Sequence, residues 1–314
     1  MFTGSIDERY YIEQMNQLKK MVHLFYSVKY SPTYNSGLRV ERYLSLLHGN
    51  VLKNIYKFIK NKIDYKIFDR KKASVKKNTE INIAPNYFSK ERISVYTCVF
   101  GDYDSIYEPI TQPNNIDYYV ITDKPEVKSK TWKVYNIQQF EPILVGMTNV
   151  EKNRWFKMHP VEVFGGQYRY SIYIDGNILP VTDFTEYINK IGDAGIAMFS
   201  HRYNDCIYQE ALNNIYLIKK TATEEINKQI LYLKENGMPE QFGMTTCNVI
   251  ARDHYNTNCN CLMTDWWDEF YRKCSRDQLS FPYVVWKNGF KMSDIARLGY
   301  DVWNVDSLLV MSHK

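Results

Sequence analysis

No stretch of the 314-residue sequence is apolar for the length a membrane span needs, and the opening residues MFTGSIDERYY lack the charged start and apolar run of a secretory leader. The expected location is therefore the cytoplasm. The six cysteines lack the spacing of a common zinc site: Cys247, Cys259, Cys261 and Cys274 share the last third with His254, but C-N-C leaves one residue between thiols where zinc ribbons have two or more. Free thiols are expected, with Cys98 and Cys206 as small buried hydrophobes. There is also no G-x-S-x-G elbow and no H-E-x-x-H helix, which argues against a hydrolase of either kind.

What is present is the composition of a globular protein, 45% hydrophobic and 24% charged, long enough for a large α/β domain with an appendage. Its 27 tyrosines suit stacking on sugar or base rings, and equally an aromatic core. The first 90 residues differ from the rest. Apolar positions from Ile12 to Tyr26 and from Leu38 to Leu47 recur at helical spacing. Residues 51–77 hold ten Lys or Arg against two Asp, a charge of +8 in a chain whose net charge is +5. Leu52, Ile55, Ile59 and Ile63 form one stripe there, the pattern of a basic amphipathic helix resting on anionic lipid or packed with a solvated lysine face. Nucleic acid is not the expected partner. Residues 71–85 read as a linker, so the division is a basic helical extension over 1–90 and a second domain over 91–314.

The second domain alternates strands and helices. Strands are expected over 93–100, 117–123, 132–137, 170–174, 195–200 and 246–251, with helices over 148–160, 206–235 and 263–273. Several strands end in Asp or Thr before a loop, which indicates a mostly parallel sheet whose carboxyl edge binds the ligand. The organising stretch is Tyr170 to Pro180, YSIYIDGNILP. It places Asp175, Gly176 and Asn177 at such a strand end, a tip suited to a nucleotide-sugar diphosphate, directly or through a cation. Arg154 and Lys157 share a helix face and can meet one anionic group. His201 ends a strand, where a polar ring near sugar or acceptor and a structural histidine are equally open.

Seven ordered blocks, VYTCVFGDYD, YYVITDKP, KNRWFKMHP, YSIYIDGNI, IAMFSHRYNDCIYQEA, VIARDH and SRDQLSFPYVVWK, resemble a glycosyltransferase family of GT-A architecture known from bacterial capsule and surface-polysaccharide loci and from plant wall and mucilage proteins. The resemblance implies an α/β GT-A domain that moves a hexose-type sugar from a nucleoside diphosphate donor, with a uridine diphosphate sugar expected, to a surface glycan or glycolipid. It implies that Thr97, Phe100, Gly101, Asp102 and Tyr103 border the nucleoside, that Asp123 meets base or ribose, and that Arg154 and Lys157 neutralise the diphosphate. Asp175 and Asn177 would hold Mn²⁺ or Mg²⁺, with His254 as a further ligand; Asn in place of a second Asp removes one charge from that set. Asp277 and Gln278 would form the sugar-facing pair, as base in an inverting reaction or as stabiliser of an oxocarbenium-like centre in a retaining one. The alternative for Asp277 is a helix cap. The rival functions are a noncatalytic nucleotide-sugar-binding scaffold and a metal-dependent hydrolase.

Overall fold

The computed structural model describes residues 91–311, apart from 125, 202–203, 219–221, 274–275, 304 and 306. The helices expected before residue 90, the basic stripe of 51–77 and the linker lie outside the described residues.

Val, Ile and Tyr dominate the strands because β-branched and aromatic side chains fit a pleated surface covered on both faces. β1 (Ile93–Val99) and β2 (Ile116–Thr122) are almost wholly buried. β3 (Lys133–Tyr135), β4 (Tyr170–Ile174), β6 (Ile196–Ser200), β7 (Thr245–Asp253) and β8 (Ala296–Arg297) complete one sheet in the order β3-β2-β1-β4-β7-β6-β8. A small pair, β5 (Ile178–Pro180) with β9 (Leu308–Val310), stands apart. In the large sheet β7 alone runs against its neighbours. The fold is therefore mixed α/β with a mostly parallel sheet, as expected. Alternate residues of each strand feed two cores: Tyr96 and Cys98 enter one, Ile93 and Val95 the other.

The helices are α1 (Glu141–Leu144), α2 (Asn149–Met158), α3 (Pro160–Phe164), α4 (Thr185–Asn189), α5 (Ile207–Asn213), α6 (Thr223–Glu235), α7 (Thr257–Lys273) and α8 (Asp277–Lys287). α2 starts at a reciprocal cap, in which Glu151 N–H donates to Thr148 Oγ1 at 3.3 Å and Thr148 N–H to the Glu151 carboxylate at 2.7 Å. Pro160 ends it. The long helix expected over 206–235 is broken, since Asn214–Ile218 widen into a π-helical turn. α7 begins six residues before the expected Met263, because Asn256 Oδ1 accepts the N–H groups of Asn258 and Cys259 and so holds its first turn.

Candidate active site

In a parallel sheet the carboxyl ends of the strands share one edge. Here that edge carries Phe100 and Gly101 after β1, Asp123 after β2, Asp175 to Asn177 after β4 and His201 after β6. Gly101 has φ +64°, which glycine adopts without strain, and a side chain there would lie 2.8 Å from Asn149 Nδ2. Its N–H donates to both oxygens of Asp123 at 3.1 Å, joining the ends of β1 and β2. Beside them opens a cleft of about 670 Å³ lined by Phe100, Thr122, Asp123, Asn136, Gln138 and Lys152 among others. Phe100 forms one wall and stacks on Phe156 of α2 at 5.8 Å.

Further along the edge lies a buried cluster of charge. Lys157, 1% exposed, donates to Asp277 Oδ2 at 2.6 Å and has Asp175 Oδ1 at 3.8 Å. Arg154 Nε lies 2.9 Å from the same Asp277 oxygen, an ion pair whose N–H is not aimed for a hydrogen bond. Tyr173 donates its hydroxyl to Asp175 Oδ1 at 2.8 Å. Burial alone would raise the Asp277 carboxyl, yet Arg154 and Lys157 hold it well below the usual carboxylate range. Asn153 ties the cluster to β1 by donating to Cys98 O at 2.6 Å while its Oδ1 accepts from Arg154 at 2.5 Å. Two cations and two carboxylates leave the cluster electrically neutral.

The structure brings Phe100, Gly101, Asp123, Arg154, Lys157, Asp175, Gly176 and Asp277 to this edge, and relocates others. Asp277 is the first residue of α8 and makes no cap bond; its side chain turns to Lys157 and Arg154. Gln278 follows it, half-buried. Thr97 is buried within β1, two residues short of the edge, with its hydroxyl unpartnered, so it does not border the cleft. Lys157 is enclosed by the two carboxylates and is not an open diphosphate ligand. Asp102 pairs with Lys124 at the surface, and Tyr103 is exposed on the same loop.

His201 is mostly enclosed. Its Nδ1 accepts the N–H of Asn204 at 3.0 Å and its Nε2 faces the buried Glu210 at 3.5 Å; burial lowers its pKa against the pull of that carboxylate. His254 does not join the tip. β7 runs antiparallel to β4, so Asp253 pairs with Tyr170 and His254 lies at the opposite edge of the sheet. Both its ring nitrogens are engaged there, on Tyr168 O and Ser171 Oγ, each at 2.8 Å.

For a divalent cation the structure offers the Asp175 carboxylate and the Asn177 amide, whose Nδ2 donates to Met311 O at 2.9 Å. Asp104 of the loop after β1 also reaches the tip, its Oδ2 3.0 Å from where a side chain on Gly176 would begin; no group of three or more His, Cys, Asp or Glu gathers among the described residues. Oxygen donors suit Mg²⁺ or Mn²⁺, and so few of them fit a cation shared with a phosphorylated ligand better than one held by protein alone. The thiols of Cys98 and Cys247 are pushed up by burial, which removes them as nucleophiles. Asn153, Tyr173, Asn136 and Gln138 were not singled out from sequence. Asn153 lies inside the KNRWFKMHP block, and Tyr173 stands two residues before Asp175 on the same strand face, a spacing that could have flagged it.

Fold and site together define an α/β protein with a ligand cleft and a buried ionic cluster on one sheet edge. Residues 59–298, about three quarters of the chain, match the family described as TOD1/MUCI70, glycosyltransferase-like domain, and the protein belongs to that family. Its chemistry is glycosyl transfer. The match begins upstream of the seven blocks. No curated protein matches the sequence. Among solved structures, the galactosyltransferase LgtC with donor and acceptor sugar analogs overlaps at 8% identity over 65% of this chain and 72% of that one, with a TM-score of 0.37. The bifunctional glycosyltransferase WbbM overlaps at 13% identity over 79% and 46%, and mouse xyloside xylosyltransferase 1 at 8% over 67% and 85%, both with a TM-score of 0.40. At such distance residue roles rest on this chain's own geometry.

Proposed function

We propose that the protein is a GT-A-type enzyme that transfers a hexose-type sugar from a uridine diphosphate donor to a glycan or glycolipid acceptor. The observation that carries this reading is the 670 Å³ cleft at the ends of β1 and β2, joined through Phe100 and Asn153 to the cluster of Asp175 and Asp277. The cleft combines an aromatic wall with carboxylate and amide groups, which suits a nucleoside. The cluster is neutral, so a diphosphate beside it calls for further positive charge; Asp175 and Asn177 would hold a divalent cation, which when bound supplies charge to the leaving diphosphate.

Asp277 sits on two cations, and a carboxylate so paired is a weak proton acceptor. Its part is that of a fixed, ionised hydrogen-bond acceptor beside the reacting centre rather than of a base. That favours the retaining course, in which the leaving phosphate takes the acceptor's proton, and leaves Gln278 beside it to bind the sugar.

The experiment is NMR of UDP-glucose and UDP-galactose with the protein. Expected are UDP release and a first-formed product with the donor's own anomeric configuration. Asp277→Asn should lower turnover by about 10²-fold or more with UDP affinity retained. Intact donor with wild-type protein would reject the reading, and an inverted first product would reject the role given to Asp277.

A further inference from the structure

At the carboxyl edge β7 departs from regular pairing. Met198 of β6 pairs with Ile250 and Ser200 with Thr245, so residues 246–249 lie opposite Phe199 alone. Such a bulge re-aims side chains, and bulges cluster beside active sites. This one lies between two features already described. On one side His201 N–H donates to Met244 O at 3.1 Å; on the other Asp175 N–H donates to Asn248 O at 2.9 Å. That last bond carries the β4–β7 register one residue past Ile174 and Val249, so Asn248 stands opposite Asp175, and directly opposed residues of an antiparallel pair share a sheet face. Cys247, between Thr246 and Asn248, feels the charges of Asp277, Lys157 and Asp175.

Two side-chain oxygens of the bulge, Thr246 Oγ1 and Asn248 Oδ1, are buried and have no hydrogen-bond partner. Buried polar atoms are nearly always paired, because an unpaired one has lost its water and gained nothing in return. A fold that keeps two of them within one bulge, on the strand paired with the end of β4, is short of two donors. Both atoms accept hydrogen bonds, and the class of ligand that brings several O–H donors to a glycosyl-transfer site is the sugar itself.

We infer that Thr246 and Asn248 are specificity-determining residues that accept hydrogen bonds from hydroxyl groups of the transferred sugar. The inference rests on the glycosyl-donor reading and deepens it. The nucleoside is held at the β1–β2 end of the edge, whereas the bulge of β7 lies beyond β4, on the far side of the tip. The two residues therefore touch the sugar and not the nucleotide. The transferred unit is then a ring with free hydroxyls on the face turned to β7, and a donor deoxygenated there loses recognition.

The test compares Thr246→Val, Asn248→Leu and the conservative Thr246→Ser in the full chain, with UDP-glucose, UDP-galactose and UDP as the probes. Donor turnover by wild type is read first, and its absence defeats the glycosyl-donor reading. With turnover established, kcat/KM of the better donor should fall about tenfold for each accepting group removed. UDP affinity should not change, and Thr246→Ser should keep the wild-type value. Thermal stability should be unchanged or raised, because an apolar group replaces an unpaired polar one. Any of three results overturns the assignment: unchanged kcat/KM, UDP affinity falling in step with it, or a fall in thermal stability showing that the oxygens were satisfied inside the protein.

Discussion

Lys157 is the side chain that makes the site's electrostatics self-consistent. Burying an ammonium group costs several kcal/mol, and what offsets it is a 2.6 Å bond to Asp277, the Asp175 carboxylate at 3.8 Å and the face of the Tyr173 ring at 4.9 Å. Its removal would leave the buried Asp277 with Arg154 alone and the half-buried Asp175 without its cation. Lys157→Met is expected to lower unfolding free energy by about 3 kcal/mol in a urea titration, with part of the loss restored in the double variant Lys157→Met with Asp277→Asn. Equal losses in the single and double variants would show that the two residues do not act as a pair. The sequence put Arg154 and Lys157 on one helix face and supplied Asp277. It could not show that an aspartate 120 residues away would take both charges, because that contact depends on how α8 packs against α2.

At the scale of elements, the tip after β4 is strapped from the far end of the chain. Met311 N–H donates to Asn177 O at 2.7 Å and Asn177 Nδ2 donates back to Met311 O, at the end of the β5–β9 pair. The amide is thus fixed by its nitrogen, and the carboxylates at the tip are Asp175 at the end of β4 and Asp104 from the loop after β1. Calorimetry with Mn²⁺ should show weak or no binding to the protein alone and clear binding when UDP is present, and chelation should abolish donor turnover. Full turnover in chelator would remove the cation from the site. A second fixed element is the end of α2. Arg252, wholly buried on β7, donates to Lys157 O and to the hydroxyl of Tyr96, and Tyr96 in turn donates to Phe156 O at 3.1 Å. A cation at a helix carboxyl end complements its dipole, and here it holds the turn that carries Lys157. The apolar alternation of β7 was readable, but not its direction. Read as one more parallel strand it delivered His254 to the ligand edge; paired antiparallel, it delivers Thr246 and Asn248 there.

Across the described residues, buried histidines add to the loss of stability in acid that the ion-paired Asp277 also brings. His159, His201 and His254 all have lowered pKa values, each chiefly because burial disfavours the charged ring. For His254 the value is pushed down to about 4. The unfolded residue gains its proton as pH falls through about 6.5 while the folded one stays neutral until about 4, so stability is lost across that window, by up to about 3 kcal/mol for this residue. Thermal melts from pH 7 to 4 should show wild type losing stability more steeply than His254→Gln; parallel slopes would mean that His254 is not buried neutral. The sequence by itself determined the alternation of strands and helices, the mostly parallel sheet and most of the polar residues that stand at its carboxyl edge, because strand period, helix period and polar strand ends are local properties of the chain. Only the tertiary structure decided which charges pair, which way β7 runs, that Thr97 and His254 stand away from the site and that a bulge leaves two unpaired oxygens on the strand paired with the end of β4. Those outcomes come from contacts between residues far apart in sequence, and burial then fixes them by making each unpaired charge or polar atom costly.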